Sequence, residues 1–197
     1  MTDLEQQLAF ILEIDKLKAI YRQTTVKEDK NRQENSAEHS WQITLAGLLL
    51  QEYAEQPIDI NRVIKMLLIH DIIEIDAGDL FAFAESKDHE EQSVKEEKAA
   101  KRLFGLLPDS QHKEYQDLWF EFEAAESNDA QFAKSIDRIL PLILNMQNNG
   151  SSWVKHKVAQ SQVLARNNYL AFIAPKLWEY VVAQTNIAVA NGWLIEG

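Results

Sequence analysis

Cysteine is absent from the 197 residues, which excludes disulfides, thiolate metal ligands and a cysteine nucleophile together. Any chemistry falls to carboxylates and imidazoles. Long apolar runs are missing too. No stretch approaches the roughly 18 residues needed to span a bilayer, and the opening MTDLEQQLAFILEIDK has no basic region of the kind that starts a secretory leader. The expectation is a chain with no membrane partner that resides in the cytoplasm. Positive charge is the third scarcity. Lysine and arginine number 20 against 31 aspartates and glutamates, for a formal net charge of -11, which argues against a nucleic acid polymer as partner. A small phosphate ester stays open, because one metal ion and one or two arginines can dominate a pocket whatever the distant surface carries.

Hydrophobic residues at 46% and charged residues at 26% are ordinary for a globular protein, and the length suits a single unit spanning 1–197. No repeat or low-complexity tract divides it. Leu4, Leu8, Ile11 and Leu12 recur at helical spacing, as do Ile43, Leu45, Leu48, Leu49 and Leu50, and Val63, Leu67, Leu68 and Ile72. No segment alternates with period two for long enough to argue a strand, so the expected class is all-α, a compact helical bundle. Ser36 is the expected N-cap of the second helix, and the third should stop at Ala77-Gly78, where glycine takes the left-handed conformation freely. Further helices are expected at about Gln111 to Ala125, Ala130 to Gln147 and Ser161 to Ala190, with a turn at Asn148 to Trp153. The charged run from Glu85 to Arg102 reads as a solvated helix face with flanking loop. Trp119, Phe120, Phe122, Trp178 and Tyr180 read as core, and His89, His112 and His156 as surface groups.

Asp71 and Asp137 stand out, because MLLIHDIIEI and KSIDRILPLIL each set a carboxylate inside an apolar helical run. Burying an ionised carboxylate without a partner is expensive. A metal cation would remove that cost, and so would an arginine or a set of backbone donors. Helical spacing brings His70, Asp71 and Glu74 toward one side, and His39 and Asp137 are the obvious ligands from elsewhere in the chain. Two imidazoles and two carboxylates suit a divalent ion, whether Mn, Co, Zn, Fe, Ni or Mg, and leave coordination positions for water.

AEHS at 37–40, IHDIIEIDAGDL at 69–80 and SIDRIL at 135–140 together resemble the ordered H...HD...D signature of the HD-domain phosphohydrolases. The stretch from His70 to Asp79, HDxxExxxGD, further resembles the bacterial 5'-deoxynucleotidases. The resemblance runs from about residue 17 to 144, leaving the C-terminal helices to complete the bundle. It implies one divalent metal held by His39, His70, Asp71 and Asp137, with Glu74 and Asp79 as catalytic carboxylates. Arg22 and Arg32 match basic positions that would face a phosphate. The implied activity is metal-dependent hydrolysis of a phosphomonoester, a nucleoside or deoxynucleoside 5'-monophosphate above all, and the resemblance allows a homodimer. Gln23 stands where those nucleotidases carry a tryptophan associated with excluding the ribose 2'-hydroxyl, so strict deoxyribose selection does not follow. Two alternatives share the signature: a phosphodiesterase or nucleotide pyrophosphohydrolase, and a non-catalytic nucleotide sensor with a structural metal. A purely structural cage has no use for the extra carboxylates Glu74 and Asp79.

Overall fold

In a computed structural model that describes residues 1–197, the side chain of Ser86 excepted, the N-terminal helix α1 (Asp3–Ile14) begins at a reciprocal cap. Thr2 accepts from the Glu5 N–H while Glu5 accepts from the Thr2 N–H, satisfying two donors that a helix start leaves open. Its stripe of Leu4, Leu8, Ile11 and Leu12 lies exposed, and Phe10 and Ile14 are the residues that pack on the core. Helical periodicity was thus right about the element and silent about which face is covered.

A short hairpin follows, unanticipated from the sequence. Strand β1 (Tyr21–Val26) pairs antiparallel with β2 (Arg32–Asn35), with Thr25 opposite Gln33 and Val26 opposite Arg32. The alternation expected of a half-buried strand presumes an apolar inner face. Here the residues turned inward are polar: Arg22, Thr24 and Glu34, with the Thr24 hydroxyl donating to Glu34 at 2.6 Å. The tight reversal uses Lys30 and Asn31 at φ 52° and 59°.

Helix α2 (Ser36–Leu50) is capped by Asn35 rather than Ser36: the Asn35 side chain accepts from the Glu38 N–H at 3.0 Å. Ser36 is the first helical residue, and its hydroxyl is turned to another task described below. Gly47 lets α2 lie close on α3 (Ile60–Ile69), since a Cβ there would stand 2.9 Å from Leu67 Cδ1. The expected end at Gly78 is observed, with φ 76°, but the path to it is not one helix. After α3 the winding tightens into a 3-10 turn over His70–Ile73 before a last turn, α4 (Glu74–Ala77). The His70 carbonyl accepts from Trp119 Nε1 at 3.1 Å, so a core indole holds the backbone where the winding changes.

The charged run forms α5 (Ser86–Phe104), mostly exposed but burying Gln92, Ala99, Ala100, Leu103 and Phe104. Helices α6 (Asp109–Ala124) and α7 (Asn128–Gln147) come next, and a short α8 (Ser151–His156) occupies the expected turn. The single helix expected over 161–190 is three: α9 (Gln160–Arg166), α10 (Leu170–Ile173) and α11 (Pro175–Ala190). Pro175 explains the last break, since proline suits the first turn of a helix and not its interior.

The core gathers where α2, α3, α6 and α7 meet. Val63, Met66 and Leu67 of α3 and Phe132, Ile136 and Ile139 of α7 are essentially inaccessible to solvent, each contributing roughly 1.5–3 kcal/mol by burial. The C-terminal Leu177 and Leu194 close the same cluster. Among the described residues no helix is long and apolar enough to cross a membrane.

Candidate functional site

Four chain segments bring polar groups together beside that core, and all but His39 line one cavity of about 320 Å³. From α7 comes Asp137, from α2 His39, from the 3-10 turn His70 and Asp71, and from β1 Arg22. His39 is fully buried, with Nε2 2.9 Å from Asp137 Oδ1. His70 Nε2 stands 2.9 Å from Asp71 Oδ1 and 3.6 Å from Asp137 Oδ1. One donor atom each from His39, His70 and Asp137 lies within 4.8 Å of the others, compact enough for a single ion.

The imidazole of His70 shows whether the set fits a metal. Its Nδ1 sits 3.0 Å from the Leu67 carbonyl, and a carbonyl can only accept, so Nδ1 carries the proton. Nε2 is buried with no hydrogen-bond partner of proper geometry, aimed between two carboxylates. This is the tautomer and orientation that second-shell bonds give metal-ligating histidines. His39 differs: its Nε2 meets Asp137 Oδ1, and its buried Nδ1, 3.7 Å from Glu34, has no hydrogen-bond partner. Two imidazole nitrogens and the Asp71 and Asp137 carboxylates suit a divalent cation.

The electrostatics are those of an acidic cluster short of positive charge. Burial opposes ionisation of Asp137, but the hydrogen bond from His39 and the nearby His70 imidazole outweigh it and hold its pKa well below the ordinary range. Burial also opposes charge on His70, and the Asp71 and Asp137 carboxylates raise it well above the ordinary imidazole value in spite of that. Glu74 is pushed well up by burial and by Asp71, and burial brings Asp79 up to about 6 despite Arg22. Arg22 is the cation holding these acids together: its Nη1 donates to Asp71 Oδ2 at 2.6 Å and lies 3.6 Å from Glu74 and 3.7 Å from Asp79. Ser36 Oγ donates to Glu74 Oε2, which fixes that carboxylate at the cavity wall.

A model of the HD domain matches residues 14–178. The chain belongs to the HD domain family. Among its relatives is the 5'-deoxynucleotidase HDDC2 of Bos taurus, 30% identical over 131 residues, 66% of this chain and 62% of that protein. The Homo sapiens counterpart is 29% identical over the same span. The chain thus covers less than two thirds of these relatives' length. Among solved structures, a predicted metal-dependent phosphohydrolase from Magnetospirillum magnetotacticum is 45% identical, with a TM-score of 0.92 over 98% of this chain and 96% of that one. A conserved hypothetical protein from Pyrococcus furiosus shares the fold at 24% identity and a TM-score of 0.62, covering 89% and 99% of the two chains.

Within this HD domain, seven of the eight site residues read from the sequence converge: His39, His70, Asp71, Asp137, Glu74, Asp79 and Arg22. Arg32 does not join them. It lies on the outer strand of the hairpin, donating to Asp29 at 2.6 Å and to Glu38 at 2.7 Å and 2.9 Å, and is not among the residues lining the cavity. Sequence reasoning missed Glu34 and Ser36, which touch the cluster, and Lys134, Arg138 and Arg166, which line the cavity. Helical spacing from Asp137 could have suggested Lys134, three residues before it, but not Arg138, its immediate neighbour. Arg166, on a separate short helix, had no local signal. The cavity mouth carries Phe81 and Phe83, with ring centroids 5.5 Å apart, and the exposed His156 ring 4.2 Å from Phe81. Gln23 lies at the same wall, its amide oxygen accepting from His156 Nε2 at 3.1 Å.

Proposed function

We propose that this HD domain is a metal-dependent phosphomonoesterase acting on nucleoside 5'-monophosphates. The observation that carries this reading is the gathering of the buried His39 and His70 and the half-buried Asp137 around one point, with Asp71, Glu74, Asp79 and Arg22 beside the same cluster. The names borne by its relatives, 5'-deoxynucleotidase and metal-dependent phosphohydrolase, point the same way.

In this reading His39, His70, Asp71 and Asp137 hold one divalent ion. When bound, such an ion polarises a phosphoryl oxygen and lowers the pKa of a bound water toward neutrality. The chain's own residues do the rest. Arg22, no longer the sole counter-charge to Asp71, turns its guanidinium to the phosphate and neutralises the charge gathering on the non-bridging oxygens. Glu74 and Asp79 move the two protons the reaction requires, one from the attacking water and one to the departing sugar oxygen, which is a poor leaving group as a bare alkoxide. Ser36 orients Glu74 for that transfer. The aromatic mouth at Phe81 and Phe83 offers an apolar face for the nucleoside. A homodimer belongs to the same proposal, supported by the exposed stripes Leu4, Leu8, Ile11, Leu12 on α1 and Trp41, Leu45, Leu48, Leu49 on α2; sedimentation as a monomer at micromolar concentration would refute it.

The decisive experiment is phosphate release from ribo- and deoxynucleoside monophosphates after chelation and re-addition of Mn, Co, Zn and Mg, with Asp71→Ala as control. Metal-dependent release that the variant lacks is expected. Silence across the panel from metal-loaded protein overturns the reading in favour of phosphodiester or pyrophosphate substrates.

A further inference from the structure

The cavity has a second charged wall that the proposed hydrolysis does not use. Arg138 follows Asp137 on α7, and Arg166 ends α9. Both line the catalytic cavity, and both also line an adjoining hollow of about 490 Å³, so that the two arginines, with Ala82 and Phe83, stand where one space opens into the other. Every other cationic group at the cavity has an acid partner: Arg22 is on Asp71, and Lys134 donates to Glu123 at 2.9 Å. Among the described residues, neither Arg138 nor Arg166 meets a carboxylate at salt-bridge distance.

They are nevertheless built in rather than trailing in solvent. Arg138 Nη1 donates to the Arg166 carbonyl at 2.9 Å, its guanidinium carbon lies 5.0 Å from the Tyr169 ring centroid, and its Nε is buried with no hydrogen-bond partner. The Arg166 guanidinium takes no hydrogen-bond partner among the described residues. Burial lowers its pKa, and repulsion from Arg138 and Arg22 works against the attraction of Asp137 and Asp79. A held guanidinium with unused donors is a cost to the folded chain that an arriving anion removes. Guanidinium forks match phosphoryl oxygens in geometry as well as charge.

We infer that Arg138 and Arg166 form a subsite for a second phosphoryl group, so that the preferred ligand is a nucleotide bearing two phosphates. The inference rests on the hydrolase reading only for placing the first phosphoryl at the acidic cluster, where Arg22 already supplies the cation. Two more unneutralised guanidinium groups match the charge of one further phosphate. That phosphate comes from one of two sources, a 5'-diphosphate or a 3'-phosphate on a 5'-monophosphate, and the chemistry at the arginines is the same for both.

The test is calorimetric binding to the metal-loaded full chain in a Glu74→Gln background, which keeps turnover from blurring the titration. The probes are AMP, ADP and adenosine 3',5'-bisphosphate. One of the two-phosphate probes is expected to bind at least about tenfold more tightly than AMP; which one it is identifies the source. Adding Arg166→Gln should abolish that advantage and leave AMP affinity within about twofold, while Arg166→Lys, which keeps the charge, should retain part of it. Equal affinity for all three probes in the unaltered subsite overturns the inference. So does an Arg166→Gln variant that loses AMP as steeply as the two-phosphate probe, since the arginines would then grip the single phosphate. Because the readout is binding, absence of phosphate release would sink the hydrolase proposal and leave this one standing on its own result.

Discussion

Glu74 and Ser36, joined by one hydrogen bond, have separable duties. Glu74 lies beside the histidine and aspartate cluster, yet His39, His70, Asp71 and Asp137 supply enough donors for an ion without it. Glu74→Gln should therefore keep stoichiometric metal while lowering turnover by at least the ~100-fold expected of a lost acid-base group; elemental analysis and steady-state rates on the same preparation check both halves. Ser36 acts one step further out, through its hydroxyl to Glu74 Oε2. Ser36→Ala removes a hydrogen bond to a buried carboxylate, so turnover should fall roughly tenfold. Ser36→Thr, which keeps the hydroxyl, should recover most of the loss. An unchanged rate in Ser36→Ala would mean that Glu74 is held in place by its other neighbours alone.

At the scale of elements, the site depends on where helices stop being uniform. His70 and Asp71 fall in a 3-10 turn between α3 and α4, and Gly78 ends the segment with Gln92 of α5 donating to its carbonyl at 2.8 Å. The tightened winding changes the direction in which successive side chains leave the axis, and it does so at two of the residues proposed to share one ion. A second critical join is Gly150, between α7 and α8, at φ 82°. A Cβ there would stand 2.5 Å from Trp193 Cβ and 2.9 Å from Val154 Cγ2. Gly150→Ala combines a left-handed backbone that L-residues resist by ~1–2 kcal/mol with a contact that must displace a C-terminal tryptophan. The expected loss exceeds about 2 kcal/mol; denaturant unfolding measures it, and a neutral result would show that the chain end at Trp193 yields freely.

For the molecule as a whole, the acidic site is a local source of instability that a cation should relieve. Asp71 and Glu74 are buried with Arg22 as the cation in contact with both, and the half-buried Asp137 adds a third acid beside them; ligands that bind only the folded state raise its stability by mass action. At a metal concentration one hundred times the dissociation constant the gain is ~2.7 kcal/mol, which for a chain of this size moves the melting temperature by roughly 5–10 °C. Scanning calorimetry of the chelated protein with and without added Mn should show that rise. His39→Ala should abolish it, because the variant removes a ligand. A rise that survives the loss of His39 would place the stabilising ion elsewhere.

Helical periodicity pointed to the all-α class, and the order of H, HD and D along the chain, with Glu74 and Asp79 close after His70, pointed to the residues that gather in one cluster. Those signals are short-range: they follow from apolar spacing within single segments and from carboxylates set in apolar runs. The hairpin escaped because its inner face is made of Arg22, Thr24 and Glu34, and a strand that buries polar groups has no hydrophobic alternation to reveal it. Arg32 was drawn toward the phosphate by its position in sequence, but the strand pairing turns it outward to Asp29 and Glu38. Ser36 looked like a cap, and Asn35 took that place, freeing the hydroxyl for Glu74. Arg166 joined the cavity only through the folding back of α9. Tertiary structure decided the meeting of Ser36 with Glu74 and of Arg166 with the cavity, which lie far apart in the chain, while the hairpin, the Arg32 pairs and the Asn35 cap turn on backbone direction, and neither leaves a trace in hydrophobic periodicity.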